Sequence, residues 1–136
     1  MGPARVAGVA AAVAVVLVSG CGATSGSGAA ASCVGPKIAV TPSTFAAGDA
    51  VRVSGQWLFA DCYDTGQRGT PPPLKGVELR LETSGSASTS YLLATVDADP
   101  TGRIDVPVRI PVGVPAGNAQ VATAGGGVAA VVVTPP

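Results

Sequence analysis

The sequence predicts an antiparallel β-sandwich, and three observations carry that prediction. Apolar and polar residues alternate with a period of two in several segments after residue 36, which is typical of strands with one buried and one exposed face. Clusters of Gly, Pro, Asp and Asn separate these segments, as turns do. No segment has the helix-length amphipathic pattern of an α-helix. We therefore expect an all-β fold in the 136-residue chain, with room for one small domain.

The alternation is clearest at Val77, Leu79 and Leu81, whose neighbours are charged. It recurs from Ile104 to Ile110, where Pro107 predicts an edge strand or a bulge because proline lacks an N–H for a second neighbour. The seven predicted strands are residues 37–41, 50–54, 77–82, 91–96, 104–110, 119–123 and 128–133. Seven short strands in about 100 residues are typical of an immunoglobulin-like sandwich.

The N-terminus has the layout of an export signal. Residues 6–18 are uncharged and mostly aliphatic, with Arg5 before them and Ser19-Gly20-Cys21 after them. This run is shorter than the roughly 20 apolar residues that span a bilayer, which favours a signal peptide over a transmembrane anchor. We predict a signal peptide at residues 1–20.

The end of that run, Leu17-Val18-Ser19-Gly20-Cys21, resembles the lipobox of bacterial lipoprotein signal peptides. The resemblance implies that the Cys21 thiol receives a diacylglyceryl group, becomes the first residue after cleavage, and anchors the protein through acyl chains such as palmitate to the outer face of the cell membrane. Ordinary secretion with cleavage near Ala23 is the alternative. The small side chains of residues 22–32 predict a flexible tether, so the expected organisation is a lipid-anchored linker at 21–32 and a folded domain at 33–136. The abundance of Ala, Val and Gly favours a GC-rich source, such as an actinobacterium.

A second resemblance concerns the folded part. The segment from Val40 to Gly55 is similar to the first two strands of bacterial immunoglobulin-like domains, with Pro42, Gly48 and alternating Val51 and Val53 in the family's frame. Residues 94–104, with the later Pro111 and Pro115-Ala116-Gly117, are similar to the later hairpins of such domains. This implies the sandwich fold for residues 37–133 and leaves the function open, because one sandwich hosts many functions.

The chain has three Cys, an odd number for an exported protein. Lipidation of Cys21 leaves Cys33 and Cys62, and an even pair in an oxidising compartment predicts a disulfide. A metal site on two Cys without a CxxC spacing or a His is disfavoured. The bridge would tie the N-terminal edge of the domain to the loop after the second predicted strand.

Residues 59–74 form the longest predicted connection, and long loops on rigid sandwiches often carry function. The candidate contact residues in and beside it are Trp57, Asp61, Tyr63, Asp64 and Arg68. The alternative is a disulfide-pinned surface loop in which Asp and Gly serve turns and the three prolines at 71–73 stiffen the chain. For Trp57 we expect a place in the sandwich core beside the disulfide, with an exposed anchor for a sugar or a protein as the alternative.

Calcium is a second hypothesis for the acidic residues, because hard cations take several oxygen ligands. The candidate ligands are Asp61, Asp64, Asp97 and Asp99. Their spacing is equally typical of turns, and no D-x-D-x-D-G loop is present. We therefore expect no metal or other cofactor.

Charge and composition narrow the function. The 8 basic and 8 acidic residues leave no basic field for a nucleic acid. The absence of His removes the commonest general base and metal ligand, so we do not expect an enzyme. The expected function is a non-catalytic binding or docking module of the bacterial envelope, with an envelope protein or the cell wall as partner. The alternatives are a passive spacer domain, a calcium-binding module and a small hydrolase using a carboxylate pair.

Overall fold

The computed structural model describes residues 34–63 and 66–136. This part of the chain is all-β, with eight strands in two sheets and no helix. The predicted signal peptide and tether, together with Cys21, Cys33 and Asp64, lie outside the described residues. The all-β sandwich expected from the alternation is confirmed.

The eight strands are β1 (Lys37–Thr41), β2 (Thr44–Ala46), β3 (Ala50–Gln56), β4 (Val77–Thr83), β5 (Ser90–Val96), β6 (Ile104–Arg109), β7 (Gly117–Thr123) and β8 (Val128–Thr134). One sheet has three strands in the order β1-β3-β6, and the other has five in the order β2-β8-β7-β4-β5. In the letters used for immunoglobulin domains, β1, β3 and β6 correspond to strands A, B and E, and β4, β7 and β8 correspond to C, F and G. The arrangement is then that of an immunoglobulin sandwich, with β5 as an additional strand beside C.

All seven predicted strands are present, and β2 is the addition. It has three residues and pairs in parallel with β8, with Phe45 opposite Val133, whereas the other strand pairs are antiparallel. The chain passes from the first sheet to the second through a cis peptide bond between Thr41 and Pro42. Three residues with one buried side chain give too short a pattern for period-two alternation to detect.

The core lies between the two sheets and is built from aliphatic side chains. Val53, Leu79, Leu81 and Val121 are completely buried, and their odd-numbered positions are the inward phase of the alternation. Burying a side chain of this size stabilises the fold by about 1.5–3 kcal/mol. Loop residues close the ends of the core, notably Leu58 and Ile110, which are also completely buried.

Pro107 lies in β6, at the edge of the three-stranded sheet, opposite Arg52 of β3. Its neighbour β3 is the central strand of that sheet. The missing N–H therefore costs the sheet no pairing with a further strand, and the predicted edge position is confirmed.

Candidate functional site

Trp57 lies at the surface, which corrects the expectation that it fills the core. It is 45% exposed and its φ is 65°, in the left-handed region. Val51 and Val53 point inward, so alternation continued through Gly55 would have turned Trp57 inward. Because β3 ends at Gln56 and Trp57 is left-handed, the phase of the chain changes and Leu58 becomes the buried residue.

The inner face of β3 is tightly filled at Gly55. A Cβ added to Gly55 would lie 2.8 Å from Ile38 Cδ1, 2.9 Å from Ile104 Cγ1 and 3.1 Å from Leu58 Cδ1. Aliphatic side chains from both neighbouring strands and from Leu58 therefore fill the space over the glycine. A left-handed conformation costs an L-residue about 1–2 kcal/mol, so the packing of Leu58 holds Trp57 in a strained backbone at the surface.

The long connection is anchored at its base by a short ladder. Phe59 pairs with Pro73 in an antiparallel bridge. The Ala60 N–H donates to the Pro72 carbonyl at 2.8 Å, and the Leu74 N–H donates to the Leu58 carbonyl at 2.9 Å. The proline run is thus the returning side of the loop, and the excursion between the two sides covers residues 61–71.

Three candidate residues of that loop, Asp61, Tyr63 and Arg68, belong to its described part. Asp61 is exposed, and its Oδ1 accepts a hydrogen bond from the Cys62 N–H at 2.7 Å. Tyr63 is half-buried and Arg68 is exposed. Within the described part of the loop, no hydrogen bond or ion pair joins Asp61, Tyr63 and Arg68 to one another.

Cys62 is half-buried at the start of the loop and is disulfide-bonded. Lys37 lies opposite Gln56, so the start of β1 is beside the end of β3, as the predicted bridge requires. Because Cys33 is outside the described residues, the pairing of Cys33 with Cys62 stays a prediction.

Asp97, a calcium candidate, holds a turn. Its Oδ1 accepts a hydrogen bond from the Gly76 N–H at 2.8 Å, and its Oδ2 lies 3.5 Å from Lys75 Nζ. The Gly76 hydrogen bond, with a smaller contribution from the Lys75 charge, lowers the pKa of Asp97 below its ordinary value.

Asp99 closes the turn before β6. Its Oδ1 accepts from the Thr101 hydroxyl at 2.7 Å, the Thr101 N–H at 2.8 Å and the Arg103 N–H at 3.0 Å. The Thr101 hydroxyl is the main cause of a lowered pKa at Asp99, followed by the Arg103 N–H. One oxygen of the Asp99 carboxylate is thus engaged by three donors of its own turn. Among residues 34–63 and 66–136, no three His, Cys, Asp or Glu side chains are grouped closely enough to hold a metal ion.

A groove of about 690 Å³ crosses the outer face of the three-stranded sheet. We call it the β1-β3-β6 groove. Its polar lining comes from the strand ends and from the turn before β6: Lys37, Ser54, Gln56, Asp99, Arg103 and Asp105. Ser54 lies opposite Asp105, and Gln56 lies opposite Lys37, so the strand register sets these side chains side by side. A volume of this size is typical of a small-ligand site.

Trp57 is next to this groove in the chain and is not one of its lining residues. It follows Gln56 directly, and the Leu58 N–H on its other side donates to the Gly102 carbonyl at 2.9 Å, next to Arg103. The backbone on both sides of the indole is therefore fixed to groove-lining segments. An exposed aromatic ring beside a polar groove is a combination that binding sites use, since the ring offers an apolar face and an N–H donor.

The acidic and basic side chains of the groove differ in how many hydrogen bonds they form. Asp105 receives two hydrogen bonds from Arg52, at 2.5 Å and 2.9 Å, and the Arg52 side chain lowers the pKa of Asp105. Asp99 is engaged in its turn. By contrast, the side chains of Lys37 and Arg103 form no hydrogen bond or ion pair within the described part of the chain.

A second cleft, of about 430 Å³, lies on the five-stranded sheet and is lined by hydroxyl and amide groups. Its polar groups are paired with one another. Gln120 Nε2 donates to Glu82 at 2.7 Å, and the Thr83 hydroxyl accepts from the Thr89 N–H at 3.1 Å. It offers neither an exposed aromatic ring nor an unengaged cation among its lining residues.

The sequence analysis named Trp57 and Asp99 as candidate site residues. It did not predict that Lys37, Gln56 and Arg103 line one groove. The outward phase of the alternation is the signal that they face solvent. Which strands lie side by side is a property of the sheet order. The ion pair between Arg52 of β3 and Asp105 of β6, for example, joins residues that are 53 positions apart in the sequence.

No helix in the described residues is long and apolar enough to span a bilayer. No family model, curated protein or solved structure matches the chain.

Proposed function

We propose that this protein is a non-catalytic binding module of the bacterial cell envelope, anchored to the membrane by lipid on Cys21. The β1-β3-β6 groove, with Trp57 at its border, is the contact surface in this proposal. The observation that carries it is the exposed indole of Trp57, held at the surface in a strained left-handed backbone beside a polar groove.

Two features of the sandwich support a binding role over that of a passive spacer. A spacer needs only an even polar surface, whereas Trp57 exposes 45% of its area at the start of the long connection. The sheet beneath the groove is also rigid, because β3 is paired on both sides and Arg52 joins Asp105 across it. A contact residue on a rigid scaffold loses little entropy on binding.

The anchor follows from the lipobox resemblance and from the cysteine count. Acylation of Cys21 would leave Cys62 with Cys33 as its partner, and the disulfide would fix the start of the long loop close to the N-terminal edge of the domain. In this arrangement the tether leads directly from the membrane to the edge of the sheet that carries the groove.

Co-sedimentation with bacterial envelope fragments tests the contact surface. The full chain is purified in detergent and spun with the fragments, beside Trp57→Gly and the control Leu92→Ala. Leu92 is 50% exposed, comparable to Trp57, and lies on β5 of the other sheet. We expect the wild type and Leu92→Ala to pellet and Trp57→Gly to stay in the supernatant. Equal pelleting of wild type and Trp57→Gly would refute the proposed surface.

Metabolic labelling with a radioactive or clickable fatty acid tests the anchor. We expect the label on the wild type and on the control Cys33→Ala, and none on Cys21→Ala. A labelled Cys21→Ala protein would overturn the assignment of the lipidation site.

A further inference from the structure

Two cationic side chains of the β1-β3-β6 groove donate no hydrogen bond to the residues that the structure describes. The Lys37 ammonium carries three N–H donors and the Arg103 guanidinium carries five, and neither group forms a hydrogen bond or ion pair within the described residues. Gln56 adds an amide and Ser54 a hydroxyl to the same lining. A donor-rich groove of this kind binds ligands rich in acceptors.

The two carboxylates of the groove already accept hydrogen bonds from the protein. Arg52 binds both carboxylate oxygens of Asp105, and Oδ1 of Asp99 accepts from Thr101 and Arg103. Asp105 is therefore paired with Arg52 and with neither Lys37 nor Arg103, whereas the Arg103 charge contributes to the lowered pKa of Asp99. Lys75 and Arg80, by contrast, lie against the carboxylates of Asp97 and Glu78.

We propose that the β1-β3-β6 groove binds an anionic saccharide, with Lys37 and Arg103 receiving its carboxylate or phosphate and Trp57 contacting the face of a sugar ring. This inference rests on the proposed function and names the ligand class of the same surface. Charge-assisted hydrogen bonds from an ammonium and a guanidinium are the usual way in which proteins recognise carboxylates and phosphates.

The size and the mixed character of the groove favour a saccharide over an acidic peptide. A volume of about 690 Å³ is in the range of small-ligand sites. Sugar rings combine hydroxyls, which suit Gln56 and Ser54, with an apolar face of C–H groups, which suits an exposed indole. An acidic peptide would use the cations and leave these groups without a role.

Isothermal titration calorimetry of the full chain in detergent tests the ligand class with four probes. They are oligogalacturonate, glucose 6-phosphate, a neutral chito-oligosaccharide of equal ring number to the oligogalacturonate, and an oligoglutamate peptide. We expect saturable binding of at least one anionic sugar, weaker binding of the neutral sugar by about tenfold or more, and loss of affinity as the salt concentration rises. Preference between oligogalacturonate and glucose 6-phosphate identifies carboxylate or phosphate as the anion.

Lys37→Ala and Arg103→Ala should each weaken binding of the preferred anionic sugar by about tenfold, while the control Lys75→Ala binds as the wild type does. Melting temperatures of the variants should lie close to that of the wild type, because neither side chain forms a hydrogen bond or ion pair with the described residues. Equal affinity for the neutral and anionic sugars would overturn the inference but leave the proposed function standing if Trp57→Gly abolishes that binding. Preference for oligoglutamate, or binding of none of the four probes, would overturn the saccharide assignment. Binding to envelope fragments that does not depend on Trp57 would refute the proposed function itself.

Discussion

The ring of Phe59 packs directly on the backbone of Gly102. A Cβ added to Gly102 would lie 2.6 Å from Phe59 Cζ and Cε2, and Gly102 has a φ of 71°. The contact joins the first residue of the long connection to the turn that carries Arg103. It explains why a residue without a side chain is needed in that turn, and it makes the turn part of the scaffold of the groove.

Gly102→Ala should therefore destabilise the domain. Both the left-handed backbone and the contact with Phe59 oppose a Cβ at this position, and together they are expected to lower the free energy of unfolding by about 1–3 kcal/mol. Gly113→Ala is the matched control, because nothing lies within 4 Å of its Cβ position. Chemical denaturation of the two variants checks this, and equal stabilities would contradict the packing of Phe59 on Gly102.

The left-handed backbone of Trp57 predicts that glycine is more stable than alanine at this position, the reverse of the usual order. At a φ of 65°, Trp57→Gly should be more stable than Trp57→Ala by about 1 kcal/mol, because only glycine adopts this conformation without strain. Val112, which is 86% exposed, provides the control: Val112→Ala should equal or exceed Val112→Gly in stability. Thermal unfolding of the four variants decides the matter, and a more stable Trp57→Ala would show that the indole is not strained.

Leu58 should contribute more to the stability of the domain than Trp57 does. It is completely buried, so Leu58→Ala should cost about 2–5 kcal/mol through lost burial and a cavity. Trp57→Gly should cost much less, because the indole is 45% exposed and its removal relieves strain. Denaturant titration measures both, and a larger loss in Trp57→Gly than in Leu58→Ala would contradict the exchange of roles between the two residues.

Acid should weaken the turns that Asp97 and Asp99 hold. Their pKa values in the folded protein lie below the ordinary value of an aspartate, so their stabilising effect is present above about pH 4 and is lost as the pH falls through the lowered pKa values. Melting temperatures measured from pH 6 to pH 2 should fall less steeply for the double variant Asp97→Asn/Asp99→Asn than for the wild type. Parallel curves would show that the two carboxylates are not linked to folding.

The predicted disulfide should contribute substantially to stability. With 28 residues between Cys33 and Cys62, loop closure predicts a stabilisation of about 3–4 kcal/mol. Cys33→Ala should lower the melting temperature by at least about 10 °C, and a reducing agent should do the same to the wild type. Cys21→Ala is the control and should melt unchanged. A wild-type protein with the same melting curve under reducing and oxidising conditions would exclude this bridge.

Period-two alternation predicted the seven longer strands, and it is clearest in β4, which buries every second residue at Val77, Leu79 and Leu81. It missed β2, where a single buried residue, Phe45, repeats no pattern. It also placed Trp57 in the wrong environment, because a left-handed backbone changes the phase and leaves no mark in the sequence when the residue is neither Gly nor Asn. The alternation of apolar and polar residues thus predicts strands well, but it predicts poorly the backbone conformation of the residues that follow a strand.

The groove was beyond prediction for a different reason. Lys37, Gln56 and Arg103 belong to three segments that only the order β1-β3-β6 brings together. The pairing of Asp105 with Arg52 is likewise invisible in the sequence, since it joins side chains from two strands. The turn role of Asp99 was the one part of the site that the local sequence, Asp99-Pro100-Thr101-Gly102, indicated in advance.

Trp57 is the only Trp in the chain, so its fluorescence reports on the border of the groove alone. The most direct test of the proposed contact surface is collisional quenching of Trp57 by acrylamide, in the full chain, with and without soluble bacterial cell-wall fragments. Because 45% of Trp57 is exposed in the free protein, we predict efficient quenching that falls as the fragments saturate the groove. Fragments that bind without protecting Trp57 from acrylamide would contradict this account.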